Sequence, residues 1–253
     1  MSDVLRIAAV QFKAVKGDLG ASRHRLCALA ERAARGSDLL VLPEMAATGY
    51  VFPDAAAVER VAEPAEGLTF EALRAVAKTA GCVVVAGFPE NDQGTLYNSA
   101  WVIDARGELA FVYRKTLLYV EDEHWAAPGD SGYHTFDLMG QRVGVGICMD
   151  INDDRFIDWL VRTDCDVVAF PTNWVMSQDE PPIDTWTYWA WRLTGIRSAL
   201  VAANTWGFDG GIEFSGRSAV LKERTIHAAL PERGDGMLRA SLSRIAPDGL
   251  QGR

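Results

Sequence analysis

Three residues of this 253-residue chain stand at the ends of apolar, strand-like runs. Glu44 follows DLLVL and Pro43, Lys115 follows FVYR, and Cys148 closes RVGVGIC, where Gly144 and Gly146 let backbones approach closely. Open α/β sheets build their sites beyond the carboxyl ends of core strands. Each residue alone has a bland reading: a loop carboxylate, a surface cation, a core-filling thiol. Together they have the composition of a thiol hydrolase. A thiol of ordinary pKa is mostly protonated near neutrality, so attack needs a base or a cationic neighbour. A carboxylate can take the proton, and a lysine can stabilise both the thiolate and the oxyanion that attack creates. Histidine is the other common base, but His24, His124, His134 and His227 occupy no comparable position.

The runs VLRIAAVQF, LLVLPE, YRK and GVGICMD, in this order and spacing, resemble the nitrilase superfamily of carbon–nitrogen hydrolases. The resemblance covers most of the chain and extends to the strands near Arg217–Leu221. It implies a four-layer α-β-β-α sandwich with pseudo-twofold halves. It also implies Glu44 as general base, Cys148 as nucleophile and Lys115 as electrostatic support for the tetrahedral intermediate, with the Met149 backbone N–H as second oxyanion donor. Many members carry a further glutamate between the lysine and a Pro-Gly pair. In TLLYVEDEHWAAPG, Glu121, Asp122 and Glu123 compete for that role. Glu123 is chosen, because Glu123-His124-Trp125 is similar to the Glu-x-Trp of aliphatic amidases. By the same resemblance no metal or organic cofactor is needed, and the chain is expected to form a homo-oligomer, a dimer or higher.

Cys148-Met149-Asp150 replaces the Cys-Trp-Glu usual in true nitrilases, which is similar to branches that hydrolyse amides or carbamoyl groups. ANTWGFDGGIEFSGRSAV resembles aliphatic amidases, whereas GICMDIN, FPTNWV and YWAWRL resemble amidases acting on amino-terminal asparagine or glutamine. The expected reaction is hydrolysis of a linear amide through a thioester, with release of ammonia. The rivals are an N-carbamoyl amine or amino-acid hydrolase and a non-catalytic metabolite binder. Tyr50, Trp125, Asn173 and Trp174 follow the strand ends nearest the catalytic set and are the pocket candidates. Five of the eight tryptophans lie between 174 and 206. They suit an apolar or cationic substrate body, although core or subunit-interface packing is the heavier reading. Asp150, Asp153 and Asp154 could hold an amine, and Arg155 or Arg192 a carboxylate; the sequence leaves the sign open.

The elements that must position these residues alternate. Val4–Phe12, Asp38–Leu42 and Cys82–Phe88 read as buried strands, with helices over Ser22–Arg35 and Leu68–Ala80 and a stop at Gly81. Tyr97–Asp104 and Leu109–Tyr113 form a hairpin. Strands over His134–Leu138, Gln141–Cys148, Asp166–Phe170, Ala199–Ala203 and Ser218–Leu221 follow, with helices over Arg155–Arg162 and Thr185–Ser198. Leu42-Pro43 and Phe170-Pro171 end two of the strands, a sign of internal duplication. The alternation specifies an α/β fold, and no linker breaks 1–253 into more than one domain.

Composition narrows the classes further. A net charge of -9 argues against a nucleic-acid or anionic-membrane surface. Four cysteines without C-x-x-C spacing give neither a disulfide scaffold nor a zinc site. Met1–Phe12 lacks a signal-peptide layout, and no run approaches the ~18 apolar residues of a membrane span. The expectation is a soluble protein of a reducing cytoplasm whose partner is a small amide or carbamoyl compound.

Overall fold

A computed structural model describes residues 4–243; the ends of the expected domain, 1–3 and 244–253, lie outside them. The first half runs β1 (Val4–Gln11), α1 (Leu19–Ala34), β2 (Leu39–Val41), a short α2 (Ala55–Glu59), α3 (Leu68–Ala80), β3 (Val83–Asp92), β4 (Thr95–Ile103) and β5 (Leu109–Arg114). The second runs β6 (Thr135–Leu138), β7 (Gln141–Val145), α4 (Asp154–Arg162), β8 (Val167–Pro171), α5 (Thr185–Arg192) and β9 (Ala199–Ala203). It continues through β10 (Trp206–Asp209), β11 (Ile212–Ser215), β12 (Ala219–Lys222) and β13 (Thr225–Ala229) to β14 (Gly236–Ser243).

Two six-stranded sheets result, in the orders β14-β1-β2-β3-β4-β5 and β6-β7-β8-β9-β12-β13. In each, three central strands are parallel and the flanking strands antiparallel. The expected duplication is therefore present in the topology. The β10–β11 hairpin is an addition to the second half. β14 returns to pair with the full length of β1.

Side-chain alternation explains the layers. Leu5, Ile7, Ala9, Leu39, Val41, Val83 and Val85 meet Val143, Val145, Val167, Ala169 and Val201 between the sheets. Their neighbours Ala8, Val10, Leu40, Leu42 and Val84 point outward onto Leu26 and Ala30 of α1 and Phe70 and Leu73 of α3. On the other side Val168, Phe170, Leu200 and Ala202 meet Phe156 and Leu160 of α4 and Trp189 of α5. Central strands buried on both faces are the mark of parallel sheets covered by helices. The result is the four-layer α-β-β-α sandwich.

Helix ends follow local chemistry. Asp18, Asp153 and Asp184 cap α1, α4 and α5 by accepting backbone N–H groups, and Gly81, at φ +63°, ends α3 in the left-handed conformation. Several boundaries differ from expectation: α1 starts three residues early at Leu19, and β3 runs on to Asp92. α5 stops at Arg192 rather than Ser198, with Gly195 at φ +80° just beyond. β7 stops at Val145, so Cys148 opens a short 3-10 turn, Cys148–Asn152, instead of closing the strand.

Candidate active site

Glu44 sits at the corner that follows β2. Gly87 on β3 makes the corner possible: a Cβ there would stand 2.4 Å from the Glu44 Cα, and the Gly87 N–H donates to the Pro43 carbonyl. Lys115 extends β5 by one ladder bond, its N–H donating to the Asn98 carbonyl of β4 at 2.8 Å. The two side chains meet in the interior, fully enclosed, with Lys115 Nζ 2.7 Å from Glu44 Oε1.

Asp122, not Glu123, completes this cluster. Lys115 Nζ donates to Asp122 Oδ2 at 2.6 Å, while Glu123 is exposed. The turn that follows Tyr119 decides between them: Asp122 Oδ2 also accepts the Tyr119 N–H at 3.0 Å, which folds the aspartate inward and leaves its neighbour outside. Asn98, one of the residues that sequence reasoning missed, ties both acids together. Its Nδ2 donates to Glu44 Oε1 at 2.7 Å and to Asp122 Oδ1 at 3.0 Å.

Cys148 is held in the left-handed region, φ +45°, at the head of the 3-10 turn. The buried Asp150 fixes that turn. Its carboxylate accepts the Ile147 N–H and the Tyr113 hydroxyl on one oxygen, and the Thr116 and Leu117 N–H groups on the other. Asp150 thus ties the nucleophile's turn to the segment that carries Lys115 and has no oxygen left for an amine. An Asp two places after the Cys, placed to cap a turn, was the available signal. Gly146 makes room for a side chain rather than a backbone: a Cβ there would meet the Phe156 ring at 2.5 Å.

The corner after β8 brings in Asn173. Its backbone N–H donates to Glu44 Oε2 at 2.7 Å and its Nδ2 to the Glu44 carbonyl at 2.9 Å. Tyr50 Oη, Asn98 Oδ1 and Asn173 Oδ1 are among the enclosed polar atoms here that have no protein hydrogen-bond partner. Unpaired buried groups are costly unless something else completes them. A cavity of about 270 Å3 opens beside Cys148, lined by Met149, Asn173, Trp174, Met176 and Tyr188 among others. Two of the four pocket candidates, Asn173 and Trp174, thus line this cavity, and α5 adds Tyr188. Trp125 instead joins the apolar cluster of Met45, Tyr50 and Phe214.

The remaining charged candidates serve structure. Asp153 caps α4 and binds Arg155, and Asp154 pairs with Arg192. Of the tryptophans, Trp189 is core, Trp186 donates to the Arg217 carbonyl, and Trp191 is 59% exposed.

Burial shapes the electrostatics. Burial pushes the Cys148 thiol up, and the Glu44 carboxylate pushes it further. Lys115, the Thr172 hydroxyl and the Asn173 N–H oppose the shift without cancelling it, so the resting thiol is neutral. Burial also raises Glu44, against the pull of Lys115. For Lys115 burial works against the charge, but Asp122 and then Glu44 outweigh it and hold the ammonium above its ordinary range. The arrangement is a neutral thiol beside a carboxylate and a fixed cation, suited to attack in which the proton leaves as the bond forms. No cluster of metal-ligating side chains occurs among the described residues.

A buried thiol, carboxylate and lysine on a duplicated α-β-β-α sandwich define a class of hydrolases. The carbon-nitrogen hydrolase family model matches residues 6–245, and the chain belongs to that family. It is 35% identical over 200 residues to a nitrilase of Pyrococcus abyssi, covering 77% of this chain and 72% of that one. It is 26% identical to the protein N-terminal amidase of Schizosaccharomyces pombe, with 81% and 87% covered. An amidase from Nesterenkonia sp. AN1, solved as a mutant in complex with butyramide, has the same fold: TM-score 0.78 at 22% identity, covering 94% of this chain and 91% of that one. The protein is thus an amidohydrolase of the nitrilase superfamily.

Proposed function

We propose that the substrate is a linear carboxamide, cleaved with Cys148 as nucleophile, Glu44 as base and Lys115 as oxyanion support. The observation that carries this reading is the enclosed Glu44–Lys115 pair beside Cys148, which lines the cavity. As Cys148 Sγ attacks the carbonyl carbon, its proton passes to Glu44. Lys115 and the Met149 N–H stabilise the oxyanion, the Glu44 proton goes to the departing nitrogen, and ammonia leaves a thioester. Water then attacks the thioester, giving its proton to Glu44, and the thiol and a carboxylic acid are regenerated. Asp122 positions Lys115. Tyr50 Oη and Asn173 Oδ1 supply the unused donor and acceptor that an amide group would engage. In a mutant of the Nesterenkonia amidase, acrylamide adds at the active-site cysteine, consistent with this role for a thiol.

A second reading within the class is action on amino-terminal asparagine or glutamine, favoured by the similarity to the S. pombe amidase. An ammonia-release assay over simple amides, carbamoyl amino acids and amino-terminal Asn or Gln peptides separates the two, with acid quench and mass spectrometry locating the acyl group. Ammonia together with a thioester on Cys148 is the expected result; an adduct elsewhere, or none with active enzyme, would overturn the mechanism.

Exposed Ile183, Trp191 and Ile226 surround a groove on α5 and β13, and this is where a second copy would dock in the proposed homo-oligomer. All four cysteines are free, as suits the proposed cytoplasmic setting.

A further inference from the structure

Resting on the amidase reading, we infer that the acyl part of the substrate is uncharged and apolar, and that a carboxylate on it is rejected. The cavity beside Cys148 is walled by Met149, Trp174, Val175, Met176, Ile183 and Tyr188. Among the described lining residues there is no lysine, arginine or histidine, and the one carboxylate is Asp179 at the exposed rim. Behind the thiol, Lys115 already faces two enclosed carboxylates, Glu44 and Asp122, and Lys16, on the far side of Glu44, is held by Asp209. The reacting end of the cavity is thus net negative. Arg155 and Arg192, the side chains that could have received a carboxylate, are committed to Asp153 and Asp154 and do not line it.

A substrate carboxylate entering here would lose its water, find no cation, and meet like charge. An alkyl or aryl group of the same size would lose only unfavourable contacts with water. The cavity's volume of about 270 Å3 suits a small acyl body, and its aromatic walls provide faces against which one can pack. The inference separates this chain from enzymes whose amides carry a free carboxylate, and carbamoyl amino acids fall under the same exclusion.

The test compares 4-methylpentanamide with succinamate, in which a carboxylate replaces the terminal isopropyl group. Ammonia release by the wild-type protein should favour the neutral amide by at least about 100-fold in kcat/KM, the scale of an unpaired desolvated charge. Asp179→Arg should narrow the ratio by about tenfold, as expected for one added cation at the rim. Binding to Cys148→Ala, followed by calorimetry, should show the same preference without turnover. Succinamate hydrolysed as well as the neutral amide would overturn the inference and leave the amidase reading standing. If neither amide is hydrolysed and neither binds, the amidase reading falls and the inference falls with it.

Discussion

After β2 the chain turns through Leu42-Pro43 into Glu44; after β8, the matching strand of the other half, it turns through Pro171-Thr172 into Asn173. One corner carries a carboxylate and the other an amide, and the two corners are bonded to each other through both the backbone and the side chain of Asn173. The matching ends of β1 and β7 diverge further. β7 leads to Cys148, whereas β1 leads to the buried Phe12, whose N–H donates to the Asn204 carbonyl at the end of β9. The half built from β1–β5 holds the charges Glu44 and Lys115 and the amide of Asn98, which ties Glu44 to Asp122 just after it. The half built from β6–β13 supplies the nucleophile and most of the cavity wall. A duplicated scaffold thus gives two equivalent corners at one seam, and the chemistry comes from making them unlike.

The largest effect should come from the second half's nucleophile. Cys148→Ala should lower kcat by about 10⁴-fold or more while leaving the fold intact, since no other group can carry the acyl intermediate. Steady-state ammonia release and circular dichroism check the two parts. Glu44→Gln comes next, with a loss of about 10²–10⁴-fold for removal of a general base. The glutamine oxygen can still accept from Asn98, the Asn173 Nδ2 bond to the backbone carbonyl at 44 is unchanged, and Asp122 still holds Lys115, so this variant should fold. Full activity in Glu44→Gln would mean that the first half only supports structure.

Asp122→Asn is expected to cost about 10–100-fold, because Lys115 loses one of the two charges that hold it and misplacement by an ångström is enough for such a loss. A pH profile distinguishes this from general damage. Activity requires ionised Glu44 and is lost as pH falls through its pKa, which burial places above the ordinary carboxylate value. The charge of Asp122 also raises it. Removing that charge should move the acid limb of kcat/KM to lower pH. Glu123→Gln, at an exposed position, should leave both rate and limb unchanged.

The contrast between Asp122 and Glu123 marks where sequence stops being informative. Glu44, Lys115 and Cys148 stood out because each follows an apolar run that reads as a strand, although β5 is a half-buried edge strand and β7 ends three residues before Cys148. The helix Leu68–Ala80 was legible at both ends, its stop being a glycine. The choice among Glu121, Asp122 and Glu123 depends on how one turn rotates, which neighbouring residues outside the segment decide. Asn98 and Asp150 gain their roles from partners that are distant in sequence, with Asn98 54 positions from Glu44. Two omissions did carry local signals. Phe208-Asp209-Gly210-Gly211 is a hairpin turn between β10 and β11. β14 alternates buried Leu238 and Leu242 with exposed Arg239 and Ser241, a period of two.

The smallest effect concerns the thiols that do no chemistry. Cys82, in the helix-facing layer of the first half, is held at about 12, first by burial and then by the Asp38 charge, with Arg6 opposing. In the unfolded chain the same thiol ionises near its ordinary value of about 8.5. Between these two values the folded state binds more protons than the unfolded state, so the contribution of Cys82 is intact below the lower value and is lost as pH rises toward the upper one. One such group changes stability by at most about 1.4 kcal/mol per pH unit. Denaturant unfolding at a series of pH values from about 8 to 10.5 should therefore show a falling stability whose slope is shallower in Cys82→Ala by up to that amount. The cavity left by the substitution lowers stability at every pH and does not alter the slope. An unchanged slope would mean that Cys82 reaches solvent in the folded protein, which would break the contrast between an inert thiol sealed behind helices and Cys148, whose turn opens onto a cavity.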